Sequence, residues 1–282
     1  MIYGVIAYLG WGMFPAFFPL LLPAGPIEIL AHRILWTAVL MTIITTITKG
    51  WKELRNADCG TWLRIVSASV FIAGNWLFYV IAVNSGHVTE AALGYFINPL
   101  VSVVFGIAFF KEQLRKFQIS AVLIALGGVL VLTFLSGQPP YLALSLALTF
   151  GIYGALKKQV NMSAVGSLTA ETLVLLPIAA GYLVWLEVSG GGTFFNNGGG
   201  HSALLMSSGL VTAIPLLMFA LAAKAIPLST VGMLQYLTPT MQMLWALFVV
   251  NETVEPMRWF GFVFIWIAVT IYITDSLLKN RQ

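Results

Sequence analysis

The chain has 282 residues, 59% of them apolar and only 9% charged, with a mean hydropathy of +0.93. That much apolar surface cannot be hidden inside a water-soluble globule of this size, so its solvent is a lipid bilayer. The net charge of +4 would suggest nucleic acid in a soluble domain, but the basic residues fall between hydrophobic runs, where they orient a chain in a membrane. No nucleic-acid partner is expected. Cys59 is the only cysteine, which excludes an intramolecular disulfide and a cysteine metal cluster.

Ten apolar stretches, each long enough to cross a hydrocarbon layer ~30 Å thick, follow one another at roughly 2–22, 26–48, 61–83, 88–110, 117–136, 141–156, 164–188, 202–223, 229–250 and 259–278. The expected fold class is therefore an all-α polytopic membrane protein. Ile2 to Leu22 has no basic lead-in and no small-residue cleavage site, and reads as a retained first span rather than a signal peptide. An even number of spans puts both termini on one side. With that side cytoplasmic, the inner segments hold Lys49, Lys52, Arg55, Arg64, Lys111, Arg115, Lys116, Lys157, Lys158, Lys224, Lys279 and Arg281, and the outer loops only Arg258. This predicts a protein of the bacterial cytoplasmic (inner) membrane with both termini inside.

In chain order, span one carries Trp11, Phe14 and Pro15. Span two opens PIEILAHRILW, with Glu28 and His32 at i and i+4 on one face and Arg33 beside them. An unpaired charge at a helix centre costs about 2.5–3.5 kcal/mol, so partners or water are expected for this trio. It serves either coupling or gating, or forms an interfacial ion pair. Lys49 to Asp58 reads as a solvated connector. Span three contributes Asn75, Trp76 and Tyr79; span four follows a helix entrance with His87 and Glu90 and contributes Tyr95, Asn98 and Pro99. Tyr153 lies in span six. Glu171, in span seven, is a proton-coupling carboxylate, a helix-start residue or a gate brace. The glycine- and asparagine-rich segment Ser189 to His201 is expected to be mobile. Pro177, Pro215 and Pro239 fall near span midpoints, and Gln235 and Tyr236 stand one turn before Pro239, with Gln242 beyond. Prolines in mid-membrane free carbonyls that lipid cannot satisfy, so Pro15, Pro99, Pro215 and Pro239 mark candidate helix breaks around a polar site. The aromatic set Trp11, Phe14, Trp76, Tyr79, Tyr95, Tyr153 and Tyr236 either walls a cavity or packs between helices. Asn75 and Gln242 serve as interhelical hydrogen-bonding residues or as ligands.

The chain also repeats itself. Asn98-Pro99 and Glu112 return 140 residues later as Thr238-Pro239 and Glu252, close to half the length of the chain. Elsewhere the offset drifts slightly and pairs Glu28 with Glu171. Because five is odd, a second unit of five spans starts from the opposite side of the membrane. The halves, residues 1–137 and 138–282, are expected to be inverted repeats suited to alternating access.

IEILAHRILW (27–36), NWLFYVIAVNSGHVTEAALGYFINPLVSVVFGIAFFKEQL (75–114), GLVTAIPLLMFALAAKAIPLSTVGMLQYLTPT (209–240) and FIWIAV (264–269) closely resemble the RarD branch of the EamA family, in the drug/metabolite transporter superfamily. The resemblance implies ten spans in two inverted halves and a central cavity lined chiefly by spans one, three, four, six, eight and nine. It also implies movement of a small organic solute. Trp11, Gly12 and Pro15 match the first-span motif; Glu28, His32 and Arg33 the second; Asn75, Trp76, Asn98 and Pro99 the third and fourth; Pro215, Gln235, Tyr236 and Pro239 the second half. Pro19 departs from the pattern, where relatives often place a basic or aromatic residue.

The candidate substrate-binding residues are Trp11, Phe14, Asn75, Trp76, Tyr79, Tyr95, Asn98, Tyr153, Gln235 and Tyr236, and the coupling or gating residues Glu28, His32, Arg33 and Glu171. No G-x-S-x-G, H-E-x-x-H or Walker loop occurs, so no enzymatic step, cofactor, bound metal or ATP drive is expected. The alternative to a transporter is a membrane scaffold or accessory subunit that moves nothing.

Overall fold

The structure, a computed structural model, describes residues 1–84, 88–136, 141–251 and 256–279, and within them the regular elements are helices only. Helix α1, Ile2–Gly12, continues as Phe14–Phe17 and a 3-10 turn Phe18–Leu21. It is followed by α2 (Pro26–Ile47), α3 (Cys59–Asn84), α4 (Val88–Phe110), α5 (Lys116–Ser136), α6 (Tyr141–Gln159), α7 (Ala164–Val188) and α8 (Gly198–Ala225). Helix α9 comes in pieces, Leu228–Leu234 and Leu237–Trp245 with a π turn Ala246–Val250, and α10 is Pro256–Lys279. Among the described residues nine helical stretches are long and apolar enough to span a membrane. The tenth helix, α6, ends in Lys157-Lys158 and packs along α3 and α4. Ahead of α3, Thr61 Oγ1 donates to Asp58 Oδ1 at 2.5 Å, which holds this exposed carboxyl below the usual carboxylate range.

The packing reveals the duplication. Helix α2 lies on α7, α4 on α9 and α5 on α10, each contact joining equivalent members of the two halves. Likewise α4 rests on α6 as α9 rests on α1, α3 on α6 as α8 on α1, and α2 on α8 as α7 on α3. Shifting every helix by five leaves this pattern unchanged, as a two-fold relation between the halves requires. Helix ends repeat too. Lys111 and Asn251, 140 apart, both take left-handed backbone (φ 52° and 59°) to stop α4 and α9, and Lys49 and Gly190 do so after α2 and α7.

Prolines divide into two kinds. Pro239 has no N–H for the carbonyl of Gln235, which instead accepts from Thr238 N at 3.0 Å, so the helix tightens and breaks there. Pro15 opens the second piece of α1. Pro99 and Pro215, expected to be breaks, instead lie inside continuous helices. A single missing bond does not end a long helix when the neighbouring helices hold both flanks in place.

Small residues set the closest approaches. A Cβ on Gly209 would sit 2.5 Å from the backbone carbon and Cβ of Trp36, whereas one on Gly127 would meet nothing within 4 Å. Gly209→Ala is therefore expected to destabilise by about 1–3 kcal/mol and Gly127→Ala hardly at all, which thermal unfolding in detergent checks. Equal effects of the two substitutions would mean that the α2–α8 contact is slack.

Candidate functional site

Three layers of polar and aromatic side chains lie along the bundle, the first at the end away from the chain termini. Helix α2 starts with Pro26 at its first position, so Arg33 lies about 10 Å into the bundle. The guanidinium carbon sits 5.2 Å from the centroid of Phe14, 5.3 Å from Phe18 and 5.1 Å from Trp76. Nε donates to Thr212 Oγ1 of α8 at 2.9 Å. Tyr79 and Tyr95, whose rings are 6.2 Å apart, stand within electrostatic reach. Helices α1, α2, α3, α4 and α8 thus converge on one half-buried cation.

Glu28 and His32 turn elsewhere. Glu28 Oε1 accepts from Thr193 N at 2.7 Å and from Thr193 Oγ1 at 2.9 Å, and the same hydroxyl lies 2.8 Å from His201 Nε2. His32 stacks on Phe194 with 5.0 Å between centroids and accepts from Trp36 Nε1 through Nδ1, while its buried Nε2 is unpartnered. The segment expected to be mobile is therefore pinned: Thr193 binds the carboxylate and Phe194 fills an aromatic slot on α2. Two aromatic residues outweigh the surrounding glycines once a matching surface exists.

The middle layer is aromatic. Trp11 meets Phe150 and Phe219 at 5.7 Å each, and Tyr153 stacks on Phe219 at 5.7 Å, with Tyr8 against Trp11. At the break in α9, Gln235 is buried with its Oε1 unpartnered, as are the hydroxyls of Tyr8 and Tyr236. Equivalent bonds cross between helices: Asn98 Nδ2 donates to Ala147 O of α6 at 3.0 Å, and its repeat partner Thr238 donates to Tyr8 O of α1 at 2.8 Å. Asn75 Nδ2 donates to Leu146 O at 2.8 Å and to Thr149, and Gln242 donates to Trp11 O at 3.5 Å.

At the end carrying the termini, charged groups tie helices both within the second half and between the halves. Lys157 and Glu171, both fully or almost fully buried, form an ion pair at 2.6 Å, and Tyr153 donates to the second carboxylate oxygen at 3.2 Å. Glu112, beyond α4, accepts from Leu228 N (2.6 Å), Ser229 N (3.0 Å) and Ser229 Oγ (2.7 Å), capping α9 from the other half. Lys158, 3.9 Å from Glu112, donates to the carbonyls of Ala223 and Ile226 at the end of α8. Glu53 of the α2–α3 connector accepts from the Ser163 N and Oγ that start α7, and Arg115 pairs with Asp275 at 2.7 Å.

Of the residues singled out from sequence, Phe14, Trp76, Tyr79 and Tyr95 gather around Arg33; Asn75, Asn98 and Tyr153 are engaged with neighbouring helices or with Glu171. Trp11 joins the aromatic layer. Tyr236 faces the α4, α5 and α10 side with Phe96 and Tyr272. His87 and Glu252 lie outside the described residues, as do the side chains of Glu90 and Arg258. Lys157 was read only as an inner-segment cation and Glu112 only as part of the repeat, and Thr212 was not singled out. The spacing of Tyr153 and Lys157, one helical turn apart, was the available signal for Lys157. Among the described residues no cluster of three metal-ligating side chains occurs.

Comparison with known proteins gives a consistent picture. The EamA-like transporter family model matches twice, over residues 1–134 and 140–274. Protein RarD of Streptomyces exfoliatus is 44% identical over 100% of this chain and 90% of its own length. The uncharacterized transporter YojE of Bacillus subtilis is 43% identical over 100% and 95%, and protein RarD of Escherichia coli 38% over 98% and 94%. A crystal structure with 17% identity superposes with a TM-score of 0.75 over 96% of each chain, a likeness of fold alone.

Proposed function

Because the chain belongs to the EamA-like transporter family, we propose that it is a secondary carrier that moves a small organic solute, metabolite or drug-like, by alternating access. The observation that carries this reading is the interruption of α9 at Gln235-Tyr236, where buried acceptors and hydroxyls stand without partners between two inverted halves. Lipid cannot satisfy such groups, whereas water or a polar solute can. The bonded end, with its Glu112 cap and Lys157–Glu171 pair, is the closed gate of this conformation, and the end near Arg33 is where solute enters. A proton taken up by Glu171 removes the ion pair holding α6 to α7, which offers a route for proton coupling. No bond of the solute is made or broken.

In this reading the closed end faces the cytoplasm of a bacterial cell, a side supported by the distribution of basic residues. Cys59, exposed at the start of α3, reports on this. A membrane-impermeant maleimide is expected to label it only after cells are permeabilised; labelling of intact cells would reverse the orientation. The carrier reading is tested by a thermal-shift screen of amino acids, aromatic metabolites and antibiotics, then uptake of the hits into proteoliposomes with and without a pH gradient. Saturable counterflow of at least one hit is expected. Hits that bind but never cross the bilayer would leave the scaffold reading in its place.

A further inference from the structure

The cations held between helices in this bundle, from fully buried Lys157 to partly exposed Arg115, come with anions. Lys157 has Glu171, Lys158 has Glu112 nearby and Arg115 has Asp275. Arg33 has none among the described residues. The carboxylate on its own helix, Glu28, points from a different face and is already engaged by Thr193, whose hydroxyl also meets His201. One of the five guanidinium N–H groups is spent on Thr212, and the four on Nη1 and Nη2 have no acceptor among the described residues. The three rings around the cation attract it through their faces but offer no lone pairs in the guanidinium plane. Among the described residues the cation is therefore held in place with its end-on fork open.

We infer that Arg33 is the anchor for the carboxylate of the solute, and that the solutes this protein takes are small organic monocarboxylates with an apolar or aromatic body. The two Nη groups match the two carboxylate oxygens in one plane. Phe14, Phe18 and Trp76 fix the fork from the sides and give the body of the solute an apolar wall. The hydroxyls of Tyr79 and Tyr95, which make no hydrogen bond to described residues, are available to the same anion. This substrate class rests on the carrier reading above.

The experiment is titration calorimetry of the purified full chain with phenylacetate and its uncharged isostere phenylacetamide, alongside acetate and chloride. A charge-assisted bond of about 1.5–3 kcal/mol predicts that phenylacetate binds at least tenfold tighter than phenylacetamide. In Arg33→Gln that preference is expected to vanish, and in Arg33→Lys, which keeps the charge without the fork, to shrink. Equal binding of the two probes, an unchanged preference in Arg33→Gln, or chloride competing as well as phenylacetate would overturn the inference, as would failure of phenylacetate, benzoate and phenylalanine alike to bind. Should Arg33→Gln not fold, judged by size exclusion, the comparison of probes in the unaltered protein decides. Proteoliposomes separate the two readings. A neutral solute carried equally by Arg33→Gln would sink the carboxylate anchor and keep the carrier; phenylacetate bound through Arg33 but never exchanged would do the reverse.

Discussion

Lys157→Met is expected to destabilise the protein by about 3–5 kcal/mol, because it strands Glu171 as a buried charge with only the Tyr153 hydroxyl to solvate it. Glu171→Gln should cost a comparable amount by stranding Lys157, which is fully buried. The double change Lys157→Met/Glu171→Leu removes both charges together and is expected to recover most of the loss, since two ions no longer need to be taken out of water. Reversible unfolding in mixed micelles measures all three. Single variants within 1 kcal/mol of the parent would mean that water reaches the pair, and that it does not hold α6 to α7. The same variants bear on transport: if protonation of Glu171 opens this end, uptake by the double variant should no longer respond to an imposed pH gradient.

The second large effect is expected at Glu112. Its carboxylate satisfies two orphan amides and a hydroxyl at the start of α9, and it reaches them from the opposite half of the molecule. Glu112→Ala leaves those amides unpaired and removes a negative charge from a helix N-terminus, a loss of roughly 3 kcal/mol. A conformational equilibrium biased by that amount shifts about a hundredfold. Where α9 meets α4, a Cβ on Gly232 would lie 2.6 Å from Ser102 Cβ, so a cysteine introduced by Ser102→Cys is shielded while the gate is closed. In a Cys59→Ser background, Glu112→Ala should speed maleimide labelling of that position at least tenfold, and Glu112→Gln, which keeps an acceptor, should do so less. Equal labelling rates would show that the cap serves folding and not the gate.

Much of this architecture was legible before any coordinates. The offset of 140 between Asn98-Pro99-Glu112 and Thr238-Pro239-Glu252 predicted two copies, and helix ends at Lys111 and Asn251 now carry the same left-handed turn. Arg33 and its aromatic neighbours other than Phe18 were singled out, yet their convergence was not, since Phe14, Trp76 and Tyr95 come from three helices whose facing sides periodicity alone does not reveal. Asn98 looked like a ligand because an amide beside a proline in mid-membrane is costly; its partner is a carbonyl 49 residues away on α6. Lys157 looked like an ordinary inner-loop cation because it stands beside Lys158 at a helix end. Only the approach of α7 explains its burial.

What the amino-acid sequence determined by itself was the solvent, the all-helical class and the family. Each follows from quantities local to the chain, namely the length of an apolar run and the recurrence of short motifs. What tertiary structure decided was which proline breaks its helix, which polar groups are spent on one another and which remain open. Those outcomes depend on separations of a few ångströms between residues a hundred or more positions apart, where one hydrogen bond decides whether a buried group holds the fold or waits for a solute.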